Sequence, residues 1–342
     1  MTQARPCVAL TLGDPAGIGP ELVARLLADR EAVAQANIVV VGDPWLWQEG
    51  QRVAGTRHEL PEIATWAEAR GQAGPVLLPL DSIRREEVEY GRVDAACGAS
   101  VLKILAHCLD AARDGRIDAI CFAPLNKLAM KQGGLRHEDE LHFFAEYLEV
   151  QGDVCEFNTL GPLWTSRISS HVPLSEAASF VTPERILSAT RLIHDALVAA
   201  GVATPRIAVA ALNPHAGEGG TCGREEIDVI APAIEACVAA GYPAQGPFPA
   251  DTLFRRARDG EFDAVVTMYH DQGQIALKLL GFERGVTVQG GLPIPITTPA
   301  HGTAFDIAGQ GKASTEAMRH AFDVACRMGR HHVLQRGTNV DC

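Results

Sequence analysis

Three histidines each follow a stretch that is typical of a strand, and each opens a polar loop. His171 follows residues 164–170, His215 follows residues 207–211, and His270 follows residues 264–269. In α/β proteins, ligands bind at the carboxyl ends of strands. If these three strands are neighbours in the sheet, the imidazoles converge. Neutral imidazoles with open coordination positions suit Zn²⁺ or a similar divalent ion that acts as a Lewis acid.

Other polar residues near these loops have roles that the sequence leaves open. Asp271 and Glu218 are candidate acceptors that would orient a neighbouring imidazole. Lys278 offers a point charge for a carboxylate or a phosphate. His301 follows a weaker strand and is a fourth candidate ligand, although a single histidine at a strand end is more often a hydrogen-bonded loop residue. A metal held here can serve oxidation of a hydroxyl, aldol cleavage or hydrolysis.

The composition narrows the class of protein. The chain has 342 residues, with 30 Lys and Arg against 42 Asp and Glu, for a formal net charge of −12. Such an acidic surface disfavours nucleic-acid binding but allows an anionic small molecule at a local cluster of donors. The nine cysteines form no C-x-x-C pair, and we find neither a signal peptide nor an apolar run of ~18 residues. We therefore expect a cytoplasmic protein with no membrane segment.

Strands and helices alternate along the chain, which predicts an α/β fold with a largely parallel sheet. The glycine-rich stretch 13–21 joins a strand to a helix, but it is not the G-x-G-x-x-G dinucleotide fingerprint. Amphipathic spacing predicts a helix over residues 98–113. Thr182 as the N-cap, Pro183 at the first helical position and the apolar residues that follow predict a helix over residues 182–200, and a closing helix is expected over residues 315–334. Residues 286–296 indicate one strand interrupted by two glycines, and residues 49–92 show no regular pattern.

Seven short motifs occur in order between about residue 8 and residue 330. They are GDPAGIGPE at 13–21, APLNK at 123–127, HVPL at 171–174, LNPHAGEG at 212–219, PADTLF at 249–254, MYHDQG at 268–273 and HGTA at 301–304. Together these motifs resemble those of the 4-hydroxythreonine-4-phosphate dehydrogenase family of vitamin B6 synthesis.

The resemblance implies a two-domain α/β/α fold similar to that of isocitrate and isopropylmalate dehydrogenases, with the active site in the interdomain cleft. One domain would combine residues 1–125 with 285–342, and residues 126–284 would form the second domain, which carries the histidines. Members are homodimers whose active site is completed by the partner subunit. They use NAD⁺ or NADP⁺ together with a divalent metal, for which Zn²⁺, Mg²⁺, Mn²⁺ and Co²⁺ are candidates here.

The resemblance also implies roles for individual residues. The family's metal ligands correspond to His171, His215 and His270, and Lys278 corresponds to a substrate-binding lysine. Asp251 is expected to be a polar residue of the catalytic cleft. The family reaction oxidises a hydroxyl β to a carboxylate and then releases CO₂. In the family, this converts 4-phosphohydroxy-L-threonine into 3-amino-2-oxopropyl phosphate.

The chain departs from the family pattern at positions expected to bind substrate. Where the vitamin B6 enzymes carry Gly-His-Thr-Glu, a gapless alignment places Asp139, Glu140, Leu141 and His142. Thr287 replaces an asparagine and Ile296 replaces an arginine, so a bidentate phosphate fork is lost. Glu140 adds repulsion toward a dianion.

These departures leave several interpretations open. Besides 4-phosphohydroxy-L-threonine, the substrate can be a non-phosphorylated hydroxy acid, or a cis-dihydrodiol carboxylate as in relatives that act on a terephthalate-derived dihydrodiol. From another class, a three-histidine metal lyase of the class II aldolase type uses the same ligands without a nicotinamide. A non-catalytic metal-binding protein is the remaining alternative.

Overall fold

The computed structural model describes residues 5–338, which divide into two compact units. Unit 1 combines Met1–Gln151 with Val286–Cys342, and unit 2 is Gly152–Gly285. The sequence had placed the first boundary at residues 125 and 126, which is too early. Two helices between residues 127 and 147 pack on unit 1, where Phe144 is completely buried in the same core as Ile104.

The strands of the described residues are β1 (Cys7–Thr11), β2 (Asn37–Gly42), β3 (Val76–Pro79), β4 (Ala119–Phe122), β5 (Cys155–Leu160), β6 (Leu163–Arg167), β7 (Ile207–Ala210), β8 (Ala244–Phe248), β9 (Ala264–Thr267), β10 (Gly285–Gly290) and β11 (Ile296–Pro299). The α-helices are α1 (Gly19–Leu27), α2 (Arg30–Val33), α3 (Pro44–Ala54), α4 (Ala95–Arg113), α5 (Lys127–Gln132), α6 (Glu140–Tyr147), α7 (Leu174–Ala177), α8 (Pro183–Ala199), α9 (Ala231–Ala239), α10 (Ala250–Arg258), α11 (His270–Gly281) and α12 (Glu316–Thr338).

Unit 1 is built on a sheet in the order β3-β2-β1-β4-β11-β10. Its strands are parallel except for β10, which runs antiparallel to β11. The residues of β1 and β4 are buried throughout, as expected for strands covered on both faces. Helix α4 covers one face of this sheet, and α12 contacts β1, β4 and β11. This arrangement confirms the predicted α/β class.

Helix α4 shows how the local sequence sets an element. Asp94 caps it by accepting a hydrogen bond from the Ala96 backbone N–H at 2.7 Å. Among the described helices, only α4 has a length and composition that would allow it to cross a membrane. Its apolar face, which includes Val101, Ile104 and Leu105, is buried in the core of unit 1. The helix therefore packs as the core helix of a globular unit does.

Unit 2 is built on a sheet in the order β5-β6-β9-β7-β8. Strands β6, β9, β7 and β8 are parallel, and β5 is antiparallel to β6. Helices α8 and α9 contact this sheet, and α10 and α11 pack with it in a second cluster around Leu253 and Val265. Helix α8 begins as predicted, because Thr182 accepts from the Arg185 N–H and Pro183 takes the first helical position.

Two predictions of secondary structure were wrong. The expected single strand over residues 286–296 is a pair of antiparallel strands, β10 and β11, because the chain reverses over residues 291–295, directly after Gly290. Within the stretch 49–92, residues up to Ala54 belong to helix α3, and β3 pairs with β2. Short elements of this kind have too few residues to show a period.

Candidate functional site

The three histidine-bearing loops leave three adjacent parallel strands. His171 follows β6, His270 follows β9 and His215 follows β7, and β9 lies between the other two. Parallel neighbours lie about 4.8 Å apart, and their carboxyl ends meet at one edge of the sheet. The condition on which the sequence prediction depended, that these strands are neighbours, is therefore met.

Hydrogen bonds join these loops to one another. The Ser169 N–H and Oγ both donate to the Met268 carbonyl, at 3.2 and 3.0 Å. Gln272 accepts from the Met268 N–H and donates to the Ala211 carbonyl, each at 2.8 Å. Gln272 thus connects the loop after β9 to the end of β7. Sequence reasoning quoted this glutamine in a motif without giving it a role.

His171 and His270 lie beside each other in unit 2. Their ring centroids are 5.6 Å apart and the rings are tilted by 45°. With a metal–nitrogen bond of about 2.1 Å, two imidazoles on one ion have centroids roughly 5 Å apart, so the pair fits a shared divalent ion. His270 Nδ1 lies 2.7 Å from Asp271 Oδ1, the acceptor expected from the sequence. That contact leaves Nε2 of His270 to face a ligand.

His215 is exposed on a turn with an unusual backbone. Residues 215–219 all have positive φ, at 53°, 54°, 79°, 44° and 62°. Each non-glycine residue in this left-handed conformation costs roughly 1–2 kcal/mol, and such strain concentrates at functional sites. Within the described part of the chain, the His215 ring makes no hydrogen bond or ring contact. Both of its nitrogens therefore remain available to a ligand.

Glu226 lies beneath this turn, and sequence reasoning missed it. Its Oε1 accepts from the backbone N–H groups of Leu212 and Asn213, at 2.9 and 2.7 Å. Its Oε2 accepts from the Asn213 side-chain amide at 3.0 Å. Glu226 is only 2% exposed. The available signal was a glutamate pair shortly after a glycine-rich loop, which by itself resembles ordinary helix surface.

The structure places Asp251 and Lys278 on helices of unit 2. Asp251 lies in the first turn of α10, a helix that contacts the turn carrying His215. It does not cap this helix, because Pro249 holds the N-cap position. Lys278 is exposed on α11, eight residues after His270 and therefore about 12 Å farther along the axis. The assigned roles of both residues stay predictions.

The departures from the family pattern lie in unit 1. Lys127 Nζ lies 3.7 Å from Glu140 Oε2, so these two opposite charges pair. Leu141 and Thr287 are buried, and their roles in substrate selection stay predictions. Ile296 is completely buried in the core, so it has no surface with which to contact a ligand, and we correct that assignment. His301, also in unit 1, has its Nδ1 at 3.0 Å from the Gly302 carbonyl oxygen.

Unit 1 also brings two of the motifs together. The Asp14 N–H donates to the Pro124 carbonyl at 3.0 Å, which joins the GDPAGIGPE loop after β1 to the APLNK loop after β4. Asp14 is 1% exposed, and its Oδ1 accepts from the Ala16 N–H at 2.9 Å. Burial raises the pKa of the Asp14 carboxyl to about 6. Sequence reasoning gave this carboxylate no role.

Comparison with known proteins identifies relatives over nearly the whole chain. A Pseudomonas aeruginosa protein that bears the provisional name 4-hydroxythreonine-4-phosphate dehydrogenase 2 is 53% identical over 333 residues, covering 95% of this chain and 98% of that protein. The D-threonate 4-phosphate dehydrogenase of Cupriavidus necator is 38% identical over 332 residues, covering 96% of this chain and 99% of that protein.

Comparison with solved structures identifies the same kind of relatives. The crystal structure of 4-hydroxythreonine-4-phosphate dehydrogenase from Klebsiella pneumoniae aligns with a TM-score of 0.83 and 34% identity, covering 96% of this chain and 100% of that one. A β-decarboxylating dehydrogenase from Thermococcus kodakarensis is similar in fold alone, with a TM-score of 0.50, 14% identity and coverage of 98% and 99%. The predicted isocitrate dehydrogenase-like architecture is thereby confirmed.

The family whose description is "Pyridoxal phosphate biosynthetic protein PdxA" matches residues 34–325. That range includes all three histidine loops, the strands that carry them and Glu226. The resemblance inferred from the seven motifs is confirmed, and the chain belongs to this family of dehydrogenases.

Proposed function

We propose that the chain catalyses the NAD⁺- or NADP⁺-dependent oxidation of a hydroxyl β to a carboxylate, followed by loss of CO₂. The observation that carries the proposal is the set of three histidine loops on adjacent parallel strands, joined by Ser169 and Gln272. Residues 171, 215 and 270 would hold Zn²⁺, Mg²⁺, Mn²⁺ or Co²⁺. Such an ion polarises a hydroxyl oxygen and favours the subsequent decarboxylation.

The chain's own residues would orient the ligands and the substrate. Asp271 would accept from His270 Nδ1, which would leave Nε2 of His270 to hold the ion. Lys278 would bind an anionic group of the substrate, and Asp251 would contribute a polar group close to the His215 turn. One nicotinamide is reduced by hydride transfer for each CO₂ released. The hydroxyl group loses one proton during the oxidation, and the carbon that lost CO₂ gains one proton, so the protons balance.

Two substrates are candidates. The first is 4-phosphohydroxy-L-threonine, giving 3-amino-2-oxopropyl phosphate, in line with the names of several relatives. The second is a non-phosphorylated hydroxy acid or cis-dihydrodiol carboxylate. It is favoured by the Lys127–Glu140 pair, because Glu140 neutralises a lysine that would otherwise attract a phosphate dianion.

A substrate panel tests the reaction and chooses between the candidates. NADH or NADPH formation would be followed with each of the four metals, and with a chelator as the control. The reaction class predicts nicotinamide reduction that the chelator abolishes. For the second candidate we expect poor turnover of 4-phosphohydroxy-L-threonine, improved in Glu140→Gln. Efficient turnover of that compound by the unaltered enzyme would select the first candidate instead.

A metal-dependent lyase is the alternative from another class. Cleavage of a carbon–carbon bond without any nicotinamide, at a rate above that of the oxidation, would replace the dehydrogenase proposal for this site. His215→Ala, which changes an exposed side chain, should abolish metal-dependent turnover and leave the fold intact. Unchanged turnover would remove His215 from the ligand set.

We also propose that the protein is a cytoplasmic homodimer whose active site is completed by the partner subunit, as the resemblance implies. Mixing inactive His215→Ala and Lys278→Ala subunits should restore part of the activity if each site draws these residues from two subunits. Light scattering would establish the dimer independently. A monomer in solution, with no restored activity, would contradict the proposal.

A further inference from the structure

The turn that carries His215 has a conformation that its own residues do not favour. Five non-glycine residues of the described chain have positive φ, and three of them, His215, Ala216 and Glu218, lie in this turn. Left-handed residues normally occur singly rather than in runs. The turn must therefore be held by groups outside it.

Glu226 supplies that hold. Its carboxylate accepts three hydrogen bonds from the two residues that lead into the turn, namely the backbone N–H groups of Leu212 and Asn213 and the Asn213 side-chain amide. Hydrogen bonds to an ionised acceptor are stronger than neutral ones, and burial strengthens them further. Glu225 adds a contact of 2.6 Å to the same Asn213 amide. The chain direction on entering the turn is thus fixed.

The carboxylate also lies directly against the turn itself. A Cβ added at Gly217 would come within 2.7 Å of Glu226 Oε2, so the backbone approaches the carboxylate as closely as glycine allows. Glu226 begins a short π-helical segment, Glu226–Ile230, ahead of α9. Such π-helical segments are rare and are frequent at functional sites. Both observations tie Glu226 to the shape of the turn rather than to the helix surface.

We propose that Glu226 is a positioning residue, which keeps the turn left-handed and thereby keeps His215 in the geometry required to bind a divalent ion. The inference rests on the proposed metal-dependent function. It has two parts that can be measured separately: the hold on the turn in the metal-free protein, and the effect of that hold on metal affinity.

The first experiment measures the hold without metal. Amide hydrogen exchange over residues 211–222 would be compared in the full-length protein, Glu226→Ala and Glu226→Gln. We expect exchange to be at least about tenfold faster in Glu226→Ala, because two N–H groups lose their acceptor, and to be intermediate in Glu226→Gln. Glu235→Gln, an exposed glutamate on neighbouring α9, is the matched control and should exchange as the unaltered protein does.

The second experiment measures the consequence with Co²⁺ alone, in the absence of substrate and nicotinamide. The visible absorption of bound Co²⁺ reports the ligand geometry. We expect the dissociation constant to rise about 10- to 100-fold in Glu226→Gln, with a changed spectrum and an unchanged melting temperature of the metal-free protein. Glu235→Gln should keep both the affinity and the spectrum.

The outcomes distinguish this inference from the proposed function. Exchange in both Glu226 variants equal to that of the unaltered protein overturns the inference, as does a loosened turn with unaltered Co²⁺ affinity and spectrum. His215→Ala that binds Co²⁺ as the unaltered protein does overturns the proposed metal site instead. Because Glu226→Gln preserves side-chain volume, the inference stays testable even where Glu226→Ala does not fold.

Discussion

Asp14 shows how strongly one side chain can depend on its surroundings. It is enclosed in unit 1 with one hydrogen bond to Oδ1, and within the described residues its Oδ2 has no partner. Burial raises its pKa to about 6, and the nearby Asp94 adds to the effect. A carboxyl whose pKa in the folded protein exceeds the ordinary value of 3.8 lowers the free energy of unfolding once it ionises.

Replacement of this carboxyl should therefore stabilise the protein in a pH-dependent way. Between about pH 4 and pH 6 the folded chain binds more protons than the unfolded chain, so the contribution of Asp14 to stability falls as the pH rises. Asp14→Asn should raise the free energy of unfolding by up to about 3 kcal/mol near pH 7.5 and by little near pH 4. Urea unfolding at the two pH values measures this, with exposed Asp114→Asn as the control. An equal effect at both pH values would contradict it.

The residue scale also shows what sequence could and could not supply. The three histidines were recognisable because each follows a stretch typical of a strand and opens a polar loop at the same kind of position. Glu226 was not recognisable, because its role depends on contacts with Leu212 and Asn213 that only the folded chain makes. Ile296 looked like a missing ligand contact until its burial was known.

At the scale of the element, the left-handed turn predicts stability changes of opposite sign for substitutions at two neighbouring residues. Ala216→Gly should stabilise the protein by about 1 kcal/mol, because glycine adopts φ of 54° without the clash that alanine suffers. Gly217→Ala should destabilise it by about 2 kcal/mol or more, because the new Cβ meets Glu226 Oε2 and φ is 79°. Thermal unfolding of the two metal-free variants measures both. Changes of the same sign would show that the turn is unstrained.

Long elements with a clear period were predicted well, and short ones were not. Helix α8 was expected with its Thr182 cap and its apolar face, since both signals lie within a few residues. The reversal between β10 and β11 was missed, because glycines interrupt a strand and turn a chain with the same sequence signal. Register and pairing are set by partners distant in sequence, such as β4 for β11.

At the scale of the whole molecule, the burial and reactivity of the cysteine thiols indicate how tightly the cores of the two units are packed. Six of the eight cysteines within residues 5–338 are fully buried, and burial raises the pKa of Cys7 to about 11 and that of Cys121 to about 12. Cys222 is exposed at the end of the His215 turn, where its N–H donates to the Gly217 carbonyl at 3.0 Å. Thiol reactivity follows thiolate content and exposure.

Iodoacetamide should therefore label Cys222 at least about 100-fold faster than the six buried cysteines. Mass spectrometry of timed samples measures the rates, in a Cys342→Ser background because Cys342 lies outside the described residues. Labelling in urea should abolish the difference. Comparable rates in the folded protein would mean that the cores of the two units open far more readily than their burial indicates.

The domain boundary was the main error at this scale. The family resemblance implied that residues 126–151 belong to the second domain, yet α5 and α6 pack on α4 in unit 1. The amphipathic pattern of a helix tells which face is buried but not which sheet or helix it meets. The two-unit α/β fold itself followed from the alternation of elements and from the motif set.

The strand order of unit 2 has a consequence for how the protein is made. Strand β9 is translated after β6 and β7, yet it lies between them. Strand β6 can pair earlier with β5, and β7 with β8, but neither can pair with β9 until residue 267 has left the ribosome. The hydrogen bonds made by Ser169 and Gln272 to the loops beside β9 can form only after that. Non-local pairing of this kind is slow. A nascent chain that ends before β9 would therefore carry two of the three histidines without the strand that aligns them.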